Sequence, residues 1–277
     1  MGRSMKWMAA ALFGLQMLCG AVMPALAQGA APPSAIEEIK KRGTLIVGLS
    51  TFVPWAMRSK SGELMGYEVD VAKKLAEDMG VKVELVPTAW DGIIPALLAG
   101  KFDFIIGGMT ITPARNLTVN FTAPYSATGV DIAASKKSAA GFAKMEDFNK
   151  PSVTLVARRG SSAATAATRF FPKATLRQFD DDAQAILEVV NGRAHAVLAS
   201  VPKPAFAVFD NPDALFKPFA EPFVKQADAM AVRKGDVDSL NFLNNWIMVR
   251  SLDGWLEDRQ TYWFKNREWL NDVAPAR

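Results

Sequence analysis

A two-lobed α/β protein is the fold class that the sequence predicts, and three features predict it. Apolar β-branched runs alternate with helix-period segments along residues 44–200. One helix–strand unit recurs. Leu98-Ala99-Gly100-Lys101-Phe102-Asp103-Phe104-Ile105-Ile106 is matched about ninety residues later by Val190-Asn191-Gly192-Arg193-Ala194-His195-Ala196-Val197-Leu198. The 277 residues, 50% hydrophobic and 22% charged, are enough for two compact units, each with a core. Two β-α-β-like halves of related design point to two α/β lobes rather than one sheet.

The N-terminus reads as a secretion signal. Arg3 and Lys6 form a short basic start, Met8 to Val22 is apolar apart from Gln16, and Ala25-Leu26-Ala27 supplies small residues for cleavage. The apolar run falls short of the roughly 20 residues that span a bilayer, which disfavours the alternative, a retained anchor. Residues 1–27 are therefore expected to be a signal peptide and 28–35 a linker. Cys19 lies inside the signal, with Leu18 before it instead of the small residue that lipidation requires. Cleavage would leave no cysteine, so neither disulfides nor thiol chemistry is expected. It would also remove Arg3 and Lys6, taking the formal charge from +4 to +2. The basic clusters Lys40-Lys41-Arg42, Lys136-Lys137 and Arg158-Arg159 are short and scattered, which argues against nucleic acid as a partner.

The elements follow in order. Thr44 to Ser50 reads as a buried strand. Tyr67 to Met79 sets Val69, Ala72, Leu75, Ala76 and Met79 on one helical face, with Gly80 to end it. Val81 to Val86 alternates as a strand, and Asp91 is placed to cap the helix that Gly100 ends. Phe102 to Ile106 is the next strand. Further on, Val153 to Ala157 is a strand, Asp180-Asp181-Asp182 starts a helix over Ala183 to Val190, and Ala194 to Ala199 is a strand. Ser239 to Leu256 has the period of one long helix, and Tyr262-Trp263-Phe264 with Trp269 forms an aromatic finish that must pack on something. In α/β sheets ligands settle beyond the carboxyl ends of strands. Two such exits carry glycine, hydroxyls and guanidinium together: Gly107 to Arg115, and Arg158-Arg159-Gly160-Ser161-Ser162. Those groups suit an anion, because amides and hydroxyls donate and arginine forks a carboxylate.

At these residues the chain resembles the periplasmic amino-acid-binding proteins of ABC importers, solute-binding family 3 with the type II periplasmic-binding fold. The blocks that carry the resemblance are Gly66-Tyr67-Glu68-Val69-Asp70-Val71-Ala72, Trp90-Asp91-Gly92-Ile93-Ile94-Pro95-Ala96-Leu97 and Gly108-Met109-Thr110-Ile111-Thr112-Pro113-Ala114-Arg115. Phe121-Thr122-Ala123-Pro124-Tyr125 and Ala231-Val232-Arg233-Lys234-Gly235-Asp236 complete them. The resemblance implies a first lobe of 36–128 and 226–277, a second lobe of 129–225 inserted between, and hinge crossings at 125–129 and 221–225. It implies that Phe52 and Trp90 sandwich the ligand, and that Arg115 grips its carboxylate with help from the Gly108 amide and Thr110. Ser161 and Ser162 would donate to the same carboxylate from the second lobe, and Arg158 would lie near the ligand side chain.

Two positions depart from the family pattern. Leu49 stands where an acid usually reads polar side chains, and Ser200 where an aspartate usually pairs with the ligand ammonium. A buried ammonium without a counter-charge is costly, and Asp228 is the expected substitute. Leu49 and the aromatic walls favour an apolar or flat ligand body over a cationic one, while Arg158 with Arg115 leaves open a ligand with two anionic groups. His195 is expected to be an ordinary half-buried or exposed side chain, and neither metal nor other cofactor is called for. The resemblance implies a monomer that delivers an amino acid or related carboxylate to a membrane permease. Two other classes compete with this reading. A secreted cyclohexadienyl dehydratase would need a general acid, and Ala164 occupies that position. A receptor sensor domain would need an apolar span following the domain, and none precedes Arg277.

Overall fold

The computed structural model describes residues 34–274. The signal segment 1–27, Cys19, and the linker up to residue 33 lie outside the described residues.

Two sheets carry the fold, and each is built on the same plan. In the first sheet β1 (Thr44–Leu49) sits between β4 (Lys82–Pro87) and β5 (Phe104–Ile105), both parallel to it. Beyond β5 the antiparallel β13 (Ala231–Val232) and then β6 (Asn120–Phe121) complete the order β4-β1-β5-β13-β6. In the second sheet β8 (Thr154–Arg158) sits between β9 (Thr175–Phe179) and β10 (Ala196–Ser200), again parallel. Antiparallel β7 (Ser126–Ser135) then pairs with β10 and, on its far side, with β11 (Leu215–Phe216) and β12 (Val224–Asp228). A short hairpin of β2 (Met57–Arg58) and β3 (Leu64–Met65) stands apart.

The chain passes between the sheets twice, from β6 into β7 and from β12 into β13. These two crossing strands run antiparallel to each other in register, Asp228 opposite Ser126 and Val224 opposite Val130. The expected strands all form, most of them trimmed at one end by a residue or two. One shift matters: Arg158 is the last residue of β8 rather than the first beyond it.

Helices cover both sheets. The first lobe carries α1 (Ala35–Arg42), α2 (Tyr67–Asp78), α3 (Ile93–Leu98) and α4 (Pro113–Asn116). The second carries α5 (Met145–Phe148), α6 (Ser162–Phe170), α7 (Asp182–Val190) and α8 (Lys203–Asp210). The aspartate run behaves as expected at one residue, since Asp181 accepts the Gln184 amide and caps α7. Asp91 does not cap. It lies inside a 3-10 turn, Trp90–Gly92, that leads straight into α3, so the backbone itself supplies the helix start.

The long C-terminal helix is two. α9 (Val237–Leu252) stops, Gly254 takes φ +80°, and α10 (Trp255–Phe264) begins in a new direction. The apolar period runs through this break because both helices bury residues against one core. Leu243, Trp246, Ile247, Leu256, Trp263 and Trp269 pack with Leu45, Val47, Tyr67, Val71 and Leu75 of the first lobe. Burying side chains of this size contributes about 1.5–3 kcal/mol each. Two of the indoles are also tethered to α2: Trp263 Nε1 donates to Asp70 Oδ2 at 2.7 Å and Trp246 Nε1 to Asp78 Oδ2 at 2.8 Å.

Candidate functional site

The strand ends of the two sheets that carry glycine and guanidinium face each other across one gap. On the first-lobe side, Thr112 caps α4 by accepting the Arg115 amide at 3.2 Å, and Pro113 occupies the first turn where no donor is needed. That short helix aims the Arg115 guanidinium back at its own loop and across the gap. Nη1 donates to the Thr110 carbonyl at 2.8 Å, and Nη2 to the Gly160 carbonyl of the second lobe at 3.0 Å. Trp90 Nε1 donates to the same Gly160 oxygen at 3.2 Å. One carbonyl of the second lobe is thus held by two donors of the first.

Gly108 lies beside Trp55 with φ +63°, and a Cβ there would sit 2.6 Å from the indole. Glycine is needed on both counts, for the left-handed backbone and for the close approach. Trp55 is fully buried and stacks on Phe52 at 4.4 Å with 15° between planes, while Phe52 meets Trp90 edge-on at 6.4 Å. Sequence reasoning named the Phe52–Trp90 pair and missed the indole that supports it.

Polar groups meet beneath these rings. Thr110 Oγ1 donates to Asp228 Oδ1 at 2.8 Å, and Thr128 and Ser126 donate to Oδ2 at 2.9 and 3.4 Å. Asp228 is 1% exposed, and burial pushes its carboxyl up to about 6 despite those hydroxyls. Gln226, two residues earlier on β12, accepts from Ser162 Oγ at 3.1 Å and lies 3.3 Å from Thr110 Oγ1, whose proton goes to Asp228. It was not foreseen; a glutamine on a crossing strand has no pattern to mark it. Ser161 caps α6, accepting the Ala164 amide at 3.1 Å and donating to the Arg158 carbonyl at 2.6 Å. Its hydroxyl therefore shapes the turn that presents the Gly160 carbonyl.

At the other end of the gap Arg158 is 5% exposed. Its guanidinium carbon lies 4.3 Å from the Phe52 ring centre and 4.7 Å from that of Trp90. Asp182 Oδ2 is 3.6 Å from its Nε, and Ser200, Ser161 and Lys203 line the same small cavity. Leu49 is fully buried and packs with Ala56 and Val69. His195 is half-buried, with Nδ1 accepting the Thr154 amide at 3.0 Å, and stacks on Phe142.

A second, wider cavity of about 330 Å³ lies where Glu257, Gln260, Thr261, Phe264 and Lys265 meet Ala127 and Pro202, away from the strand exits that carry Arg115 and Arg158. The cavity at Trp90, Met109, Arg115 and Gly160, about 140 Å³, is the candidate site.

A family model for bacterial extracellular solute-binding proteins, family 3, matches residues 45–266. The chain is 32% identical over 257 residues to the L-cystine-binding protein TcyJ of Escherichia coli (strain K12), a match that covers 91% of this chain and 96% of that one. Among solved structures, the ancestral amino acid-binding protein AncCDT-1, a precursor of cyclohexadienyl dehydratase, gives a TM-score of 0.77 at 41% identity. That match covers 84% of this chain and 100% of the ancestral one. The putative binding component of an ABC transporter from Wolinella succinogenes DSM 1740, complexed with lysine, gives 0.78 at 39% identity over 83% of this chain and 100% of that one.

Proposed function

The chain belongs to family 3 of the bacterial extracellular solute-binding proteins, and from that premise we propose that it is the periplasmic receptor of an ABC importer, closing on an amino acid or related small carboxylate and delivering it to a membrane permease. The observation that carries this reading is the Arg115 guanidinium, directed into the gap between the sheets and touching both sides of it. A ligand carboxylate would exchange with those carbonyl contacts and take two charge-assisted bonds from the fork. Gly108, Thr110 and Ser162 would add neutral donors, and Phe52 and Trp90 would wall the ligand body. Asp228 would supply the negative charge that Ser200 lacks, acting through Thr110, whose hydroxyl joins it to the gap. Asp228→Asn should then weaken binding sharply.

The transport mechanism would be a two-state hinge at residues 125–129 and 221–225, between a lobe of 36–128 with 226–277 and a lobe of 129–225. A ligand that touches both lobes lowers only the closed form, so those bridging contacts set the population shift. The protein would act as a monomer that presents its closed face to the permease. We infer binding rather than catalysis: Ala164, at the position of a dehydratase general acid, is a buried alanine whose amide bonds Ser161. Formation of phenylpyruvate from prephenate or arogenate would overturn that inference.

The deciding experiment is a thermal-shift screen of the purified protein against amino acids, betaines, dicarboxylates and aromatic acids. A ligand with Kd near 1 μM, supplied at 1 mM, should add about 4 kcal/mol. Silence across the whole panel would sink the reading.

A further inference from the structure

The lobes also touch at a second place, which the function above leaves unused. The described residues after α10 are fastened to the first lobe. The Lys60 amide donates to the Asp272 carbonyl at 2.8 Å and the Ala274 amide to the Arg58 carbonyl at 2.9 Å, which ties this stretch to the β2–β3 hairpin. Trp269 is buried beside Trp263, with ring centres 5.5 Å apart. Helix α8 belongs to the other side, because it packs on β7 and β10. Its Phe206 nevertheless lies in the first-lobe core, 9% exposed and 5.9 Å from the Trp269 ring.

Arg267 completes the contact. Its guanidinium carbon lies 4.8 Å from the Phe206 ring centre and 3.9 Å from that of Phe209, and Nη2 pairs with Asp210 Oδ1 at 2.5 Å. Its Nε and Nη1 are buried with no acceptor among the described residues. Two ring faces and one carboxylate are what this cation meets in exchange for water, and all three come from α8. The same helix reaches the gap. Its first residue, Lys203, lines the small cavity with Arg158 and Ser200, while its last, Asp210, is the partner of Arg267. Eight helical residues cover about 12 Å. Just before the helix, the Val201 amide donates to the Gly129 carbonyl of the crossing strand at 2.9 Å. One end of α8 is thus rooted at the crossing and the gap, and the first lobe grips the other.

A contact between lobes can set affinity without meeting the ligand. Where binding needs the closed form, the apparent Kd is the intrinsic value divided by the fraction of protein that is closed, and a contact made only on closure raises that fraction. We propose that Arg267, gripping Phe206, Phe209 and Asp210, is a second clasp that holds the closed arrangement and sets ligand affinity from outside the ligand site. These are positioning residues, and the clasp deepens the receptor reading and rests on it.

Calorimetric titration with L-cystine, L-arginine, L-lysine and L-glutamine, beside small-angle scattering of the ligand-free protein, tests the clasp. Phe209 is 68% exposed, so its replacement threatens the fold least. Whichever of the four amino acids binds the parent tightest should bind Phe209→Ala and Phe209→Leu about three-fold weaker, and both variants should show a larger radius of gyration. Phe209→Trp should bind at least as tightly as the parent, because an indole is the best ring for a cation. Arg267→Met should also weaken binding, and in that background Phe209→Ala should cost nothing further. Asp210→Asn is a less direct probe, since Asp210 also attracts Lys203. Binding by Phe209→Ala that is tighter than the parent's, or within about 1.5-fold of it, overturns the clasp, as does an equal loss with and without Arg267. If Arg267→Met does not fold, Phe209→Leu carries the test, and a leucine variant that matches the parent overturns the clasp. No binding by any of the four amino acids counts against the amino-acid reading instead. The radii then decide the clasp alone, and unchanged radii overturn it.

Discussion

The two lobes each set one strand between two parallel neighbours, β4-β1-β5 and β9-β8-β10, and they differ in what joins that middle strand to the helix behind it. In the first lobe, seventeen residues (50–66) separate β1 from α2 and include the β2–β3 hairpin. In the second, only Arg159, Gly160 and Ser161 separate β8 from α6. The long connection brings Phe52 and Trp55 to the gap, and it satisfies the start of α2 with backbone. Tyr67 and Glu68 donate their amides to the Pro54 and Trp55 carbonyls at 3.1 and 2.9 Å. The short connection has no such loop, so a serine side chain caps α6 and the bare Gly160 carbonyl faces the first lobe. One plan thus gives an aromatic wall on one side and a polar, cationic edge on the other. The lesson is that loop length after the middle strand, rather than sheet order, divides the labour of the site.

The largest expected effect concerns a residue with no counterpart across the gap. The second residue of α2 is Glu68 and the second of α6 is Ala163. Glu68 is fully buried, accepts the Tyr125 hydroxyl at 2.5 Å, and is pushed by burial from 4.5 up to about 8. A carboxyl that holds its proton more tightly when folded costs nothing at low pH. Its penalty grows as pH rises from about 4.5 towards 8, because the unfolded chain ionises first. At pH 8 the penalty reaches about 4 kcal/mol. Glu68→Gln keeps an acceptor for Tyr125 and removes the titration, so denaturant midpoints of variant and parent should diverge as pH rises, with the variant more stable at pH 8. Parallel pH curves would break the assigned cause.

Next comes the guanidinium that spans both lobes. Arg115→Ala removes the group proposed to meet the ligand carboxylate and should cost about 3 kcal/mol of binding, on the order of a hundred-fold in Kd. Thermal shifts for every carboxylate ligand should shrink together, to roughly a third for a micromolar ligand supplied at 1 mM. A ligand that still binds within three-fold would place the anion elsewhere, and the asymmetry between the lobes would need redrawing.

Much of this plan is legible in the sequence, and the exceptions share a cause. Strand order cannot be read from periodicity, but the repeat of Leu98–Ile106 at Val190–Leu198 already pairs the α3–β5 step with α7–β10. Arg115 is legible because Thr112 and Pro113 fix its helix locally. Lys203 is not: in Val201-Pro202-Lys203-Pro204 it looks like a solvent lysine between prolines, and only the fold turns it to Arg158 and Asp182. Gln226 and the burial of Glu68 are hidden in the same way, since their partners Ser162 and Tyr125 lie more than fifty residues distant. The kink at Gly254 escaped because apolar period tracks a shared core, and one core can accept two helices.

A smaller effect should come from the clasp on Gly160. Trp90→Phe keeps most of the ring and loses the Nε1 donor, leaving Arg115 alone on that carbonyl. The closed form should lose about 1 kcal/mol. Small-angle scattering would register this as a larger radius of gyration without ligand, restored when ligand is added. An unchanged radius in both states would mean that the arginine alone holds the edge.

The smallest effect separates the two ways of starting a helix. Ser161→Ala deletes a side-chain cap, and such caps are worth about 1 kcal/mol. In a chain of this size that corresponds to a fall of roughly 2–4 °C in Tm. Its hydroxyl is engaged by the Arg158 carbonyl and the Ala164 amide, so ligand affinity should change less than three-fold while stability falls. Ser161→Thr should restore the lost degrees, because threonine caps almost as well. If instead Ser161→Ala leaves Tm unchanged and weakens binding more than ten-fold, the hydroxyl serves the ligand rather than the helix. The second lobe would then start α6 as the first starts α2, from backbone alone.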